Sequence, residues 1–404
     1  MIFKKKPAKV TWKSQSNSFT VYINGKELSG DIPNGWVGND LLIYLEKEDK
    51  QYLLFDFALL QDNTEREADY IAKGETILWS KQDDGYFLFV NGMNVNQETE
   101  SFWLDDLFLV KYQDKAYYLD NYSTTEDNVL HPAMLASDST QSTWVKVMDH
   151  FYILHGGSML DLNYDGNYCE NDLLVYVDAL KALVILINYR TCNDIYFAPV
   201  YRVARMNEFV YKKAKTGGYF LYINDKALHA NAIATYHYDD IVVYEPEKNT
   251  TFILPNIRHD PGDDFKKPIV MPTEETAFWS AKDKSFYLID KGENISTETD
   301  SHNSIIDDDL LVYNPSTSTT YLFEDYMHLK DGKLRPATVL SRSAQVVWKA
   351  YQNRYWIWYE GKAVGKCEHQ YMGNDLTVIP QQLNVMINLE NFRNRQNNKL
   401  YAIE

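Results

Sequence analysis

Short apolar runs punctuated by Asn, Asp, Gly and Lys recur along the whole chain, and no stretch carries the spacing of a long amphipathic helix. Runs such as FTVYI at 19–23, DLLIYL at 40–45 and YLLFDF at 52–57 read as strands. They also repeat. Trp12, Trp79, Trp144, Tyr211, Trp279 and Trp348 stand 65 to 69 residues apart, and a second aromatic follows each seven or eight residues later: Phe19, Tyr86, Phe151, Tyr219, Phe286 and Tyr355. A turn follows, marked for example by Asn24-Gly25, Asn91-Gly92 and Glu360-Gly361. An aspartate, 27 to 30 residues after the leading aromatic, then opens an apolar stretch at Asp40, Asp106, Asp172, Asp240, Asp309 and Asp375. Each unit closes 15 or 16 residues later on Asp or Asn plus a large apolar residue: Asp56-Phe57, Asn121-Tyr122, Asn188-Tyr189, Asn256-Ile257, Asp325-Tyr326 and Asn391-Phe392.

Four apolar stretches per unit predict a four-stranded antiparallel sheet, repeated at approximately 1–67, 68–132, 133–199, 200–268, 269–336 and 337–404. One such sheet cannot bury both faces, whereas radial stacking buries them and protects the edges. The expectation is therefore all-β: a six-bladed β-propeller forming a single domain of four-stranded antiparallel blades, about 67 residues per repeat. The closing KLYAIE aligns with KLRPAT of the fifth linker, which suits a ring whose ends meet; an open array of six units is the alternative.

The formal charge of −17 repels a phosphate backbone or an anionic membrane, so neither nucleic acid nor membrane is expected as partner, and a basic protein suits better. Three cysteines, Cys169, Cys192 and Cys367, give neither a disulfide framework nor a thiolate zinc site. Lysines at the start lead into polar residues rather than an apolar core, and Ala179 to Ile187 is too short to span a bilayer. A cytoplasmic protein, monomeric outside any complex, is the expectation.

Six recurring aspartates at strand entrances are expected to accept backbone N–H groups, a structural duty. Four residues before them stand Trp36, Phe102, Tyr168, Tyr236, Ile305 and Tyr371, suited either to packing between blades or to stacking on sugar rings. Asp161, Asn163 and Asp165, with Gly166 and with Asp172 at the twelfth position, match the start of a calcium loop of alternating oxygen ligands. That loop resembles the calcium hairpins of integrin-type propellers, which also lead into a D-L-L-V strand, but it carries the extra residues Tyr168 to Asn171. No G-x-S-x-G, H-E-x-x-H or phosphate-binding glycine loop is present, and His131, His155, His237 and His369 fall at unrelated repeat positions, so no catalytic residue is nominated.

The hairpins DKQYLLFD at 49–56, DKAYYLDN at 114–121 and DKSFYLID at 283–290 resemble the D-K-x-Y-Y repeats of bacterial DKNYY-type proteins. The resemblance implies an immunity protein encoded beside a secreted toxin; it carries no functional residues with it. The segments between the second and third strands, such as KELSGDIPNGWVGN and MNVNQETESFWLD, differ in chemistry from unit to unit, which suits one irregular partner. The expected function is thus a non-enzymatic protein-binding propeller, an immunity protein that occludes the active site of a basic toxin through Trp36, Trp103 and Tyr236. A carbohydrate-binding lectin and a propeller hydrolase with a channel active site are the alternatives.

Overall fold

Tight turns make hairpins of neighbouring apolar runs, and the fold is a succession of them. The computed structural model describes residues 8–403 apart from 84, 149, 161–165, 193–195, 225, 273–275, 284, 300–301, 366, 382 and 384. Described residues form twelve antiparallel sheets of three or four strands. No helix among them is long and apolar enough to cross a membrane.

Each 67-residue repeat supplies two sheets, where the sequence pattern suggested one. In repeat 1 the tryptophan strand Val10–Gln15 pairs with Ser18–Ile23, and Asp40–Leu45 pairs with Asn34–Val37 on one side and Lys50–Leu54 on the other, in a second sheet. The reason lies in the faces. Leu41 and Ile43 share a core cluster with Trp12 and Val21 of the first sheet, while Leu42 points the other way to meet Leu78 and Phe89 of repeat 2. A strand buried on both faces reads as a continuous apolar run, so alternation does not reveal which hairpins share a sheet.

The linker then ties the two sheets together. Arg66–Glu67 pairs with the tryptophan strand and Asp69–Lys73 with Lys50–Leu54, so the chain crosses between sheets at buried Ala68. His131–Pro132 and Met134–Ser137 do the same in repeat 2, and Arg335–Pro336 and Thr338–Ser341 in repeat 5. Proline closes the short strand in both, at an edge where no further ladder N–H is required.

The chain divides into two compact units, Met1–Arg205 and Met206–Glu404. In the first, Trp79 and Leu88 pack against Phe108 and Val110, and Trp144 and Ile153 against Val175 and Val184. Leu104 and Leu109 meet Val145 and Leu154, so successive sheets are stacked face to face in chain order. The second unit repeats the scheme: Tyr211 faces Val243 and Phe252, Trp279 stacks on Phe323 at 5.0 Å, Leu311 meets Val347 and Trp358, and Trp348 meets Val378.

Candidate functional site: the aromatic hairpins

The second sheet of each repeat presents a two-residue hairpin beside the closing turn. All six closing residues, Asp56, Asn121, Asn188, Asn256, Asp325 and Asn391, have φ between 51° and 59°, the left-handed region that Asn and Asp tolerate best among residues with a side chain. That explains the unvarying Asp or Asn. Their carbonyls accept the N–H groups three or four residues on, as Asn121 does from Thr124 and Thr125. In five of the six units the next residue is aromatic, Ile257 being the exception, and its ring turns toward the leading aromatic: Trp12 lies 5.7 Å from Phe57, Trp144 5.9 Å from Tyr189 and Trp279 5.9 Å from Tyr326.

The recurring aspartate holds this turn from the far end of the hairpin. Its Oδ1 accepts the closing residue's N–H at 2.6 Å for Asp40 and Asp56, 2.8 Å for Asp172 and Asn188, and 2.7 Å for Asp240 and Asn256. Asp309 and Asp375 do likewise with Asp325 and Asn391, at 2.8 and 2.6 Å. The duty is the expected one, though the donor lies sixteen residues ahead and not in the preceding turn. Burial pushes the Asp40 and Asp309 carboxyls above the ordinary range in spite of these bonds.

Repeat 2 departs from the sequence alignment. Leu104 pairs with Leu107 across the turn Asp105-Asp106, just as Val37 pairs with Asp40, so Leu107 occupies the aspartate's position and Asp106 lies in the turn. The alignment on Asp106 and Phe102 is therefore one residue out of register. Trp103, not Phe102, matches Trp36, and Phe102 packs against the core instead.

Of the nominated aromatics, Trp36, Trp103 and Tyr236 are 48%, 50% and 49% exposed. The two indoles stand on their closing turns: Trp36 lies 5.5 Å from Phe57 and Trp103 5.9 Å from Tyr122. Tyr236 is capped by Arg258, 4.7 Å from its ring centre, as Tyr168 is by Arg190 and Tyr371 by Arg393. These arginines went unnoticed in the sequence, although Asn188-Tyr189-Arg190, Asn256-Ile257-Arg258 and Asn391-Phe392-Arg393 are a readable triplet. No described cation lies over Trp36 or Trp103. Beside Trp103 the turn carboxylates Asp105 and Asp106 add negative charge, Asp105 also accepting from the Tyr152 hydroxyl at 3.0 Å.

Asp161, Asn163 and Asp165 of the calcium-like loop lie outside the described residues, and Asp172 holds Asn188 as above. No cluster of three or more His, Cys, Asp or Glu suited to a metal occurs among the described residues. The histidines nominated as bystanders are scattered: His131 lies against Trp79, His155 bonds Ser142 at 2.9 Å, His237 bonds Ser280 at 2.7 Å, and His369 faces Tyr355.

No protein-family model matches the chain, and no curated protein matches it. Among solved structures, similarity is found to apo AztD from Citrobacter koseri, with 9% identity, 98% of each chain covered and a TM-score of 0.15. Hsv2 of Kluyveromyces lactis gives 12% identity over 93% of this chain and 92% of that one, with a TM-score of 0.11. At such scores neither likeness carries an argument about fold or function.

Proposed function

We propose that the protein is a non-enzymatic binding protein, its six repeats the paired-sheet blades of a propeller, and that Trp36 and Trp103 dock a basic protein partner. The observation that carries the reading is the pair of half-exposed indoles, each braced from below by a closing-turn aromatic and free of any described cation above, in a chain of net charge −17. A rigid aromatic face beside carboxylates receives a lysine or arginine through cation–π attraction, and a long-range acidic field speeds the encounter. With the DKNYY resemblance, this supports an immunity protein that covers a toxin's cationic active site. Tyr236, already capped by Arg258, contributes less.

Affinity capture from the native cells, followed by titration of the recovered basic protein, tests the proposal. The expected outcome is a one-to-one complex whose association rate falls as salt rises, and which Trp36→Ala plus Trp103→Ala weakens by roughly a hundredfold or more, as loss of buried aromatic anchors does. A complex indifferent to both substitutions would overturn it. One observation favours the lectin reading instead: an aromatic side chain occupies the same register position in five of six repeats, with Ile305 the exception. Glycan binding lost on the same substitutions, with no protein captured, would establish that alternative.

A further inference from the structure

Repeat 5 contains a filled polar site where repeat 3 has a cleft. Asp290 accepts hydrogen bonds from the Tyr321 hydroxyl at 2.7 Å, from Arg342 at 2.9 Å and from Thr276 at 3.1 Å. A carboxylate is thus held between an arginine, a tyrosine and a threonine at the end of the tryptophan hairpin where Ala277 pairs with Asp290. In repeat 3 the register puts His155 at the place of Asp290, Gln141 at that of Thr276, Val184 at that of Tyr321 and Arg202 at that of Val339.

These exchanges empty the site. His155 turns to Ser142 and offers no carboxylate to fill the position. The result is a cleft of about 310 Å³, with Thr140, Gln141 and Ser142 on its polar side, Leu180 and Val200 on its apolar side, the buried Val184 at its floor, and Arg202 beside them. The Arg202 guanidinium makes no hydrogen bond or ion pair with any described residue. Repeat 1 opens a cleft at the same register, lined by Val10, Tyr52, Ala68 and Tyr70, although Tyr52 stands at the place of Tyr321; Ile23 stands at that of Asp290, so the position stays open where the internal carboxylate is missing.

We propose that the repeat-3 cleft binds a small amphipathic carboxylate, its anion on Arg202 and its apolar end against the partly exposed Leu180 and Val200. Repeat 5 shows a carboxylate–arginine pair in the corresponding region; its Arg342 stands at the register of Arg205, whereas the guanidinium bordering the repeat-3 cleft is that of Arg202, at the place of Val339. An unpaired guanidinium holds a carboxylate strongly because it donates through two parallel N–H groups to the two acceptor oxygens. The volume sits near the lower end of small-molecule sites, which run from about 300 to 1,000 Å³, so a short-chain or single-ring acid fits and a long lipid does not. The protein-docking reading is independent of this site and stands or falls separately.

Calorimetric titration of the full chain with octanoate, and with octylammonium as the charge-reversed control, tests it. Saturable one-to-one binding of octanoate and none of octylammonium is expected. Arg202→Ala should weaken octanoate at least about tenfold, as loss of a charge-assisted pair does, Arg202→Lys should weaken it less, and Leu180→Asp should weaken it by placing a second anion at the apolar end. Melting curves identify any variant that has lost its fold, and Arg202, being exposed, is the position whose substitution keeps it. Absence of saturable octanoate binding, or affinity unchanged in Arg202→Ala and Leu180→Asp, overturns the proposal.

Discussion

In repeat 5 the strand Asp309–Asn314 opens on an aspartate that accepts the N–H of Asp325, and a second carboxylate, Asp290, is clamped by Arg342, Tyr321 and Thr276. In repeat 2 those two positions hold Leu107 and Val90, both in apolar surroundings, and the residue matching Arg342 is Asp138, which accepts the N–H groups of Thr140 and Gln141 instead. Yet the closing turn of repeat 2 forms with Asn121 in the same left-handed region as Asp325, and its carbonyl accepts the same two N–H groups, from Thr124 and Thr125. The strand-entrance carboxylate is therefore a reinforcement on a turn whose shape comes from the Asp or Asn at its corner and the large apolar residue that follows it. This is a structural economy: one repeat uses apolar contact where another uses charge.

The largest effect expected from breaking the contrast is at Asp290. Replacing it by Ala strands the partly buried Tyr321 hydroxyl and Arg342, at a cost of about 3 kcal/mol; Val90→Ala, a loss of two methyl groups, should cost less, about 1 kcal/mol. Burial alone would raise the Asp290 carboxyl, but Arg342, Tyr321 and Thr276 outweigh it and hold it below the ordinary range. A depressed folded-state pKa means stability that is present above the unfolded value of 3.8 and lost as pH falls through the folded one. Urea unfolding of wild type and Asp290→Ala should therefore differ most near neutrality and converge in acid. A constant difference across pH would show that the site contributes through packing alone.

Asp309 comes next, with the opposite sign. Removing its acceptor in Asp309→Ala leaves the Asp325 N–H without a partner and should cost about 1–3 kcal/mol. Burial raises the Asp309 carboxyl, assisted by Glu324, Asp325 and Asp307 nearby, although the N–H of Asp325 pulls the other way. The folded state thus binds the proton more tightly than the unfolded state, and this group's contribution falls as pH rises from 3.8 through the folded value. Asp309→Asn keeps an acceptor oxygen and sheds the charge, so its melting temperature should match or exceed the wild type at pH 7. If Asn proved as damaging as Ala, the carboxylate's charge would be needed after all.

How far these differences can be read in the sequence depends on which force fixes them. The six-fold spacing, the strands and the duty of Asp40, Asp172, Asp240, Asp309 and Asp375 were legible because turn geometry restricts residue choice locally. The division of each repeat into two sheets was not, since Leu41, Leu42 and Ile43 are equally apolar and only tertiary stacking decides which faces Trp12 and which faces Phe89. The register of repeat 2 was also hidden: Asp105 and Asp106 stand side by side, and the pairing of Leu104 with Leu107 selects between alignments that composition leaves equal. The Asp290 clamp brings together residues 14 to 52 positions apart, which no short motif announces; the arginine caps, 22 positions from their rings, were readable only as the triplet at each closing turn.

The smallest expected effect is the sharpest test of that register. By alignment Asp106 belongs with Asp309, and its loss would cost as much; by strand pairing it is an exposed turn residue whose carboxylate accepts no hydrogen bond from Asn121, and Leu107 carries the buried position. Asp106→Ala should therefore shift stability by no more than about 0.5 kcal/mol, the range of exposed substitutions away from special backbone sites. Its φ is not in the left-handed region, unlike that of Asp105, so alanine meets no strain there. Leu107→Asp is the complementary change. It would place a carboxylate within the repeat-2 core among Leu104, Leu109 and Leu154, and the lost apolar burial, about 2 kcal/mol for a leucine, exceeds what one hydrogen bond to Asn121 returns, about 1 kcal/mol. Chemical denaturation of the two variants side by side distinguishes the alignments: a harmless Asp106→Ala with a destabilised Leu107→Asp supports the paired register, and the reverse order would restore Asp106 to the recurring set.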